Sequence, residues 1–256
     1  MFSASDFTYD GVRSGKYGLV IADFNAESVA ETAAFSSVLR TTKPATLNKF
    51  IHSGIQYDTA PQFQFSVISE TEIPDIVRRE ILSWLVGRNE FKRLEIHQPD
   101  LGKYYYKCVF TEASIIFVHG RCHGFRVTAV FDSPYAYGNP TVISVPSAGE
   151  YTITIKNTSD LRDTYVYPKV TFTGSGITII NNTDDPKRNF VFTDLDDDEQ
   201  IVVDNEIKYI SSSKKLTRLD KFNKQWLRLR KGDNSLTIIS DGPVTIECPC
   251  YVMIGF

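Results

Sequence analysis

The stretches FTYDGVRSGKYGLVI, residues 7–21, and HGFRVTAVFDSPYAYG, residues 123–138, decide the fold class of this chain. In the first, Phe7 and Tyr9 alternate with polar residues up to Asp10-Gly11, and Leu19, Val20 and Ile21 resume an apolar run after Ser14-Gly15. A period of two broken by glycine turns is the pattern of a hairpin. In the second, Phe125, Val127, Ala129 and Phe131 fall on one face at the same period. Pro134 lacks the amide hydrogen that a ladder needs, so the strand must end before it. These two segments bound a β domain over residues 1–138.

Between them the pattern changes three times. Residues 22–60 mix small, polar and turn residues, and are expected to form a long excursion with short strands, of the kind used for function or an interface. Phe63, Phe65 and Val67 then alternate as a half-buried strand. The spacing of Ile73, Ile76, Val77, Ile81, Trp84 and Leu85 predicts one helix over 73–86, with Thr71 as N-cap, Pro74 in its first turn and Gly87 after its end. Trp84 is read as core. Strands are expected at 94–97, 104–111, 114–119 and 124–132, with Gly120-Arg121 as a hairpin turn.

Residues 138–150 hold two prolines and two glycines and read as a linker or the first strand of a second unit over 139–256. Beyond them, short strands at 151–155, 167–173, 176–180, 189–193, 199–203, 207–210, 225–229, 234–240 and 244–254 imply an antiparallel β-sandwich. Gly232-Asp233-Asn234 reads as a tight turn, in which glycine takes positive φ and the Asp and Asn side chains cap backbone groups.

Composition bounds the function. The chain has 256 residues, 17 Phe and 13 Tyr, enough for a substantial core in two domains of mainly β structure. A formal charge of -3 offers no electrostatic footprint for sequence-specific nucleic acid binding. The N-terminus shows no basic and apolar leader pattern and the apolar runs are too short for a bilayer, so a protein made in the cytoplasm and not inserted in membrane is expected. Cys108 and Cys122 lie on strands that could pair, with a bridge or two buried thiols as the alternatives. Cys248-Pro249-Cys250 reads as strand.

Site chemistry is sparse. His119, Cys122 and His123, with His97 and Cys108, match no common zinc spacing and read as a polar turn. Asp194, Asp196, Asp197, Asp198 and Glu199 lack the alternation of a calcium loop and read as a solvated turn, as does Asp184-Asp185-Pro186. No nucleophile elbow, phosphate loop or paired-histidine motif is present, so no enzyme, catalytic residue, metal or cofactor is expected. Trp226 and Tyr251 could form a sugar-stacking platform, with core packing as the other reading of Trp226.

Phe7, Tyr9, Gly11, Tyr17, Gly18 and Leu19 at the start, with Ser133, Pro134 and Tyr135 at the close of the first domain, resemble the distal tail protein (Dit) family of long-tailed phages of Gram-positive bacteria. Trp226, Gly232, Asp233 and Asn234, followed by Leu236 and Ile238, extend the resemblance to a galectin-like C-terminal domain. It implies an N-terminal β-sandwich-like ring-forming domain and a homo-hexameric tail-tip hub that passes DNA through its centre. The implied partners are the tail tube protein above and tail-tip or receptor-binding proteins below, on the virion. A carbohydrate-binding module that contacts the host wall is the alternative.

Overall fold

The computed structural model describes residues 6–22, 38–43, 51–56, 59–98 and 102–253. The chain divides into two compact units, Met1–Ala136 with Met253–Phe256, and Tyr137–Val252.

In the first unit β1 (Asp6–Tyr9), β2 (Val12–Arg13), β3 (Val20–Ala22), β6 (Gln62–Ile68), β7 (Lys92–His97), β8 (Tyr106–Val118) and β9 (Arg121–Phe131) build a seven-stranded sheet in the order β2-β1-β7-β8-β9-β6-β3. Its strands pair antiparallel. Two hairpins close on two-residue turns, Asp10-Gly11 between Tyr9 and Val12 and His119-Gly120 between Val118 and Arg121. All four turn residues have positive φ, at 50°, 76°, 49° and 79°, the backbone that matches the twist of a tight hairpin. The second turn therefore lies one residue earlier than Gly120-Arg121.

Of the excursion, β4 (Val38–Thr42) and β5 (Ile51–Gln56) are described, and they pair with each other as a separate two-stranded ribbon. Its remaining parts, 23–37, 44–50 and 57–58, lie outside the described residues.

The helix α1 (Asp75–Leu85) starts two residues later than its apolar period predicts. Pro74 is its N-cap, because a residue before proline is pushed to extended backbone. Ile73 lies outside the helix, and its N–H donates to Cys122 O at 2.8 Å. Thr71 does not cap the helix; its N–H donates to Ser69 Oγ at 3.2 Å. Ile81, Trp84 and Leu85 are buried, whereas Ile76 is 72% exposed and leaves the apolar face.

Trp84 ties the helix to the opening hairpin. Its indole stacks on Phe7 at 5.7 Å, lies against Tyr17 at 5.4 Å, and donates from Nε1 to Tyr9 O at 2.9 Å. Tyr9, fully buried, also donates from its hydroxyl to Cys108 O at 3.4 Å and meets Phe110 edge-on at 4.7 Å. Three parts of the unit, α1, β1 and β8, thus share one aromatic cluster.

One strand, β8, occupies the two separate segments expected at 104–111 and 114–119. Its register against β9 shifts between Phe110 and Glu112, and again between Ile116 and Phe117. A bulge re-phases the side chains without ending the strand, which in sequence looks like a turn.

The second unit is a two-sheet antiparallel sandwich. β10 (Ala136–Val145), β18 (Val244–Val252), β12 (Lys169–Thr173), β15 (Gln200–Asp204) and β16 (Tyr209–Ser212) form one sheet in that order. β11 (Gly149–Asn157), β17 (Gly232–Ser240), β13 (Ile177–Asn181) and β14 (Phe190–Phe192) form the other. Phe172 of β12 meets Phe192 of β14 across the core at 5.4 Å. The candidate linker 138–150 is thus largely strand, with Pro140 tolerated in β10 because that strand lies at the edge. Residues 225–229 are not a strand. They are held as irregular chain by Asn205 Oδ1, which accepts from Leu227 N at 2.8 Å, and by the isolated bridge of Leu229 to Val166.

Trp84→Ala is expected to lower the unfolding free energy of the full chain by about 3 kcal/mol or more, the range for removing a buried aromatic. Trp84→Phe keeps most of the area and should cost about 1 kcal/mol for the lost bond to Tyr9 O. Urea unfolding of both variants checks the ordering.

Candidate assembly surfaces

The length mismatch of β8 produces the first surface. β7 pairs with it only at Tyr106, Lys107 and Cys108, and Val86 adds an isolated bridge at Phe110. β9 follows it on the other flank as far as Val118. Over residues 111–118, no described strand covers the outer flank. Its far end is apolar: Phe117 is 56% and Val118 46% exposed, with Ile115 and Ile116 half-buried. An uncovered apolar edge is a template for another strand.

The β4–β5 ribbon is the second surface. A two-stranded ribbon is marginal alone and needs a further strand or a packed face.

The motif residues of the sequence are builders of the fold. Phe7, Tyr9 and Leu19 are buried, Tyr17 lies on Trp84, and Gly11 and Gly18 take φ of 76° and 65°. Ser133 Oγ accepts from Tyr135 N at 3.1 Å, a local turn around Pro134. Gly232 has φ 89° and opens β17, so the turn precedes Asp233 and Asn234. Asn234 closes it from a fully buried position. Its Nδ2 donates to Arg230 O at 2.8 Å and Gly232 O at 3.0 Å, while Oδ1 accepts from Arg230 N at 2.9 Å.

Trp226 is half-buried, outside any strand, with its ring edge-on to Phe222 at 4.8 Å. Tyr251 is buried beside Tyr137 at 5.6 Å, and its hydroxyl donates to Glu206 Oε2 at 2.6 Å. Tyr251 thereby belongs to the packed interior rather than to a sugar platform.

The residues weighed for metal are dispersed. His97 Nε2 lies 2.7 Å from Thr8 Oγ1, His123 Nδ1 lies 3.3 Å from Ser69 O, and His119 is a turn residue. All four cysteines are free, and burial pushes the thiol of Cys108 up and that of Cys248 up to about 12.

The acidic run is a turn whose Asp194, Asp196, Asp197 and Asp198 are exposed, as expected, while Glu199 is buried, and the run also forms one half of an ion network. Lys214 Nζ reaches Asp196 at 3.0 Å and Asp198 at 2.6 Å, and Lys221 reaches Asp194 at 3.7 Å. Arg218 binds Glu199 through two nitrogens, at 2.9 and 2.6 Å, and Ser212 Oγ also donates to that carboxylate. Hydrogen bonding from Arg218 holds Glu199, which is buried, down at about 2, ahead of the opposing effect of burial. Asp184 is likewise enclosed: Arg228 at 2.7 Å, Arg230 at 3.1 Å and the Tyr165 hydroxyl at 3.0 Å surround it. These networks need partners far apart in sequence, so charge runs alone do not reveal them.

Two family descriptions match the chain, "Phage tail protein N-terminal domain" over residues 2–133 and "Phage tail C-terminal domain" over residues 135–248. No curated protein matches. Among solved structures, the Dit protein of phage SPP1 is similar over 97% of this chain and 99% of its own, with a TM-score of 0.66 and 15% identity. It is described as a paradigm of the hub adsorption apparatus in phages infecting Gram-positive bacteria. A chain from the activated phage p2 baseplate is similar over 96% of this chain and 98% of its own, with a TM-score of 0.53 and 10% identity. At these identities the likeness establishes the fold.

Glu199 supplies a pH test. Its carboxyl titrates lower folded, at about 2, than the ordinary 4.5, so its contribution to stability is present above the ordinary value and is lost as pH falls toward 2. Melting temperatures measured across that window should fall less steeply in Glu199→Gln than in the parent, with the variant already less stable at neutral pH.

Proposed function

Because the chain belongs to the phage tail protein family, matched in both its N-terminal and C-terminal domains, we propose that it is the structural hub of the tail tip. In this reading six copies close into a ring through the N-terminal domain, residues 1–138. The ring joins the tail tube protein on one side to tail-tip or receptor-binding proteins on the other, and DNA passes through its centre. The protein acts by assembly and not by catalysis. The domain over residues 139–256 is a galectin-like sandwich that faces outward and carries adhesion components.

The observation that carries this reading is a complementary pair of unfinished structures in one unit. Among the described residues, the outer flank of β8 over 111–118 lacks a neighbour and the β4–β5 ribbon lacks a third strand. A ribbon from one copy laid on the β8 flank of the next satisfies both. Such a contact joins two different patches, and repeated by a rotation that closes it gives a ring and not a dimer. Backbone pairing between strands supplies rigidity and Phe117 and Val118 supply buried apolar area. The likeness to the SPP1 hub protein supports a hub role, and a mildly acidic chain leaves DNA free to slide.

Light scattering after gel filtration of the full-length protein is expected to give six copies. Phe117→Lys with Val118→Lys places two charges on exposed positions of the seam, where lysine blocks strand addition. That variant should run as a folded monomer. A hexamer unaffected by the pair would remove β8 from the interface, and a monomeric parent would count against the ring.

A further inference from the structure

The second unit has a groove of about 620 Å³ beside β16, bounded on its other side by residues 215–219. Its surroundings are apolar and basic. Tyr209 is 58%, Leu216 49% and Leu219 45% exposed, with Ile207, 70% exposed, two residues before Tyr209.

The loop that forms the far wall is fixed. Lys214 and Arg218 are engaged by Asp196, Asp198 and Glu199, and Lys221 by Asp194. Lys208, Lys215 and Lys224 are different. All three are exposed and, among the described residues, none makes an ion pair or a side-chain hydrogen bond. They also occupy three of the six non-glycine positions of positive φ among the described residues, at 56°, 57° and 64°. A bulky residue adopts that backbone only at a cost, which the surrounding structure must maintain. Of the acids around them, Asp220 lies on the rim with Lys224, Asp204 accepts from Glu206 N and Ile207 N, and Glu206 is engaged by Tyr251.

The backbone of β16 is open along the same groove. Among the described residues β16 ends its sheet, paired with β15 alone. Ser213 N donates to Gln200 O at 2.9 Å, and hydrogen-bonded positions of an antiparallel pair alternate. Ser211 and Tyr209 therefore direct their amides to β15, while Ile210 and Ser212 direct theirs away. Ser212 O is taken by Lys215 N at 2.9 Å. The N–H and C=O of Ile210 and the N–H of Ser212 remain along the edge.

We propose that this groove takes an extended segment of a protein partner, acidic and apolar in alternation, which adds as a strand to β16. Its apolar side chains lie on Tyr209, Leu216 and Leu219, and its carboxylates meet Lys208 and Lys215. Open backbone groups favour a peptide over a sugar, and the uncompensated lysines set its charge. The surface lies wholly within the second unit, so the inference stands apart from the ring.

The test uses the full-length protein and a fluorescein-labelled synthetic peptide of alternating glutamate and valine, followed by anisotropy. Oligoglutamate and a polyglycerol phosphate serve as competing polyanions. Saturable binding of the alternating peptide, weakened roughly tenfold or more in Lys208→Glu with Lys215→Glu, is expected. Hydrogen exchange over residues 209–212 should slow on binding, and the variant should melt with the parent. No saturable binding, or equal binding by the variant, overturns the proposal. Binding of the polyanions as tightly as the peptide, with exchange over 209–212 unchanged, overturns it in favour of an anionic polymer. The oligomeric state read in the same samples reports on the ring separately.

Discussion

β8 outruns the sheet that supports it. β7 accompanies it for three residues, while β9 runs beside it to the hairpin turn at His119-Gly120. Backbone amides must find partners, and an apolar tip such as Phe117-Val118 is costly to leave in water. Everything nearer the core is fixed: Trp84 clamps α1 to β1 through Tyr9, and Tyr9 in turn reaches β8 at Cys108. The outer half of β8 is therefore held out by a rigid base, a better foundation for an interface than a free loop.

Much of this architecture could be read from the chain, because it rests on local pattern. Phe7 and Tyr9, or Phe125 through Phe131, alternate at a period that only strands use, and Trp84 with Ile81 and Leu85 marks the helix α1. Where the reading slipped, a nonlocal or backbone cause can be named. Pro74 displaced the start of α1, and a bulge near Thr111 made one strand look like two. The stretch around Trp226 has strand-like composition but is claimed by Asn205 and Val166 instead.

The surfaces were less legible than the core. An edge is a property of which strands fail to pair, and nothing in residues 111–118 announces that β7 stops short. The acidic run at 194–199 was visible, yet its meaning depended on Lys214, Arg218 and Lys221 folding back over it. That network braces the loop beside β16 and leaves the remaining lysines unneutralised. Both surfaces thus arise from the same logic, in which a well-satisfied interior supports a deliberately incomplete rim.

Electron cryomicroscopy of the purified full-length protein tests the ring most directly. The account predicts six-fold particles in which a strand from the neighbouring copy lies along residues 111–118 of β8. Monomers, or a ring in which that flank of β8 faces solvent, would contradict it.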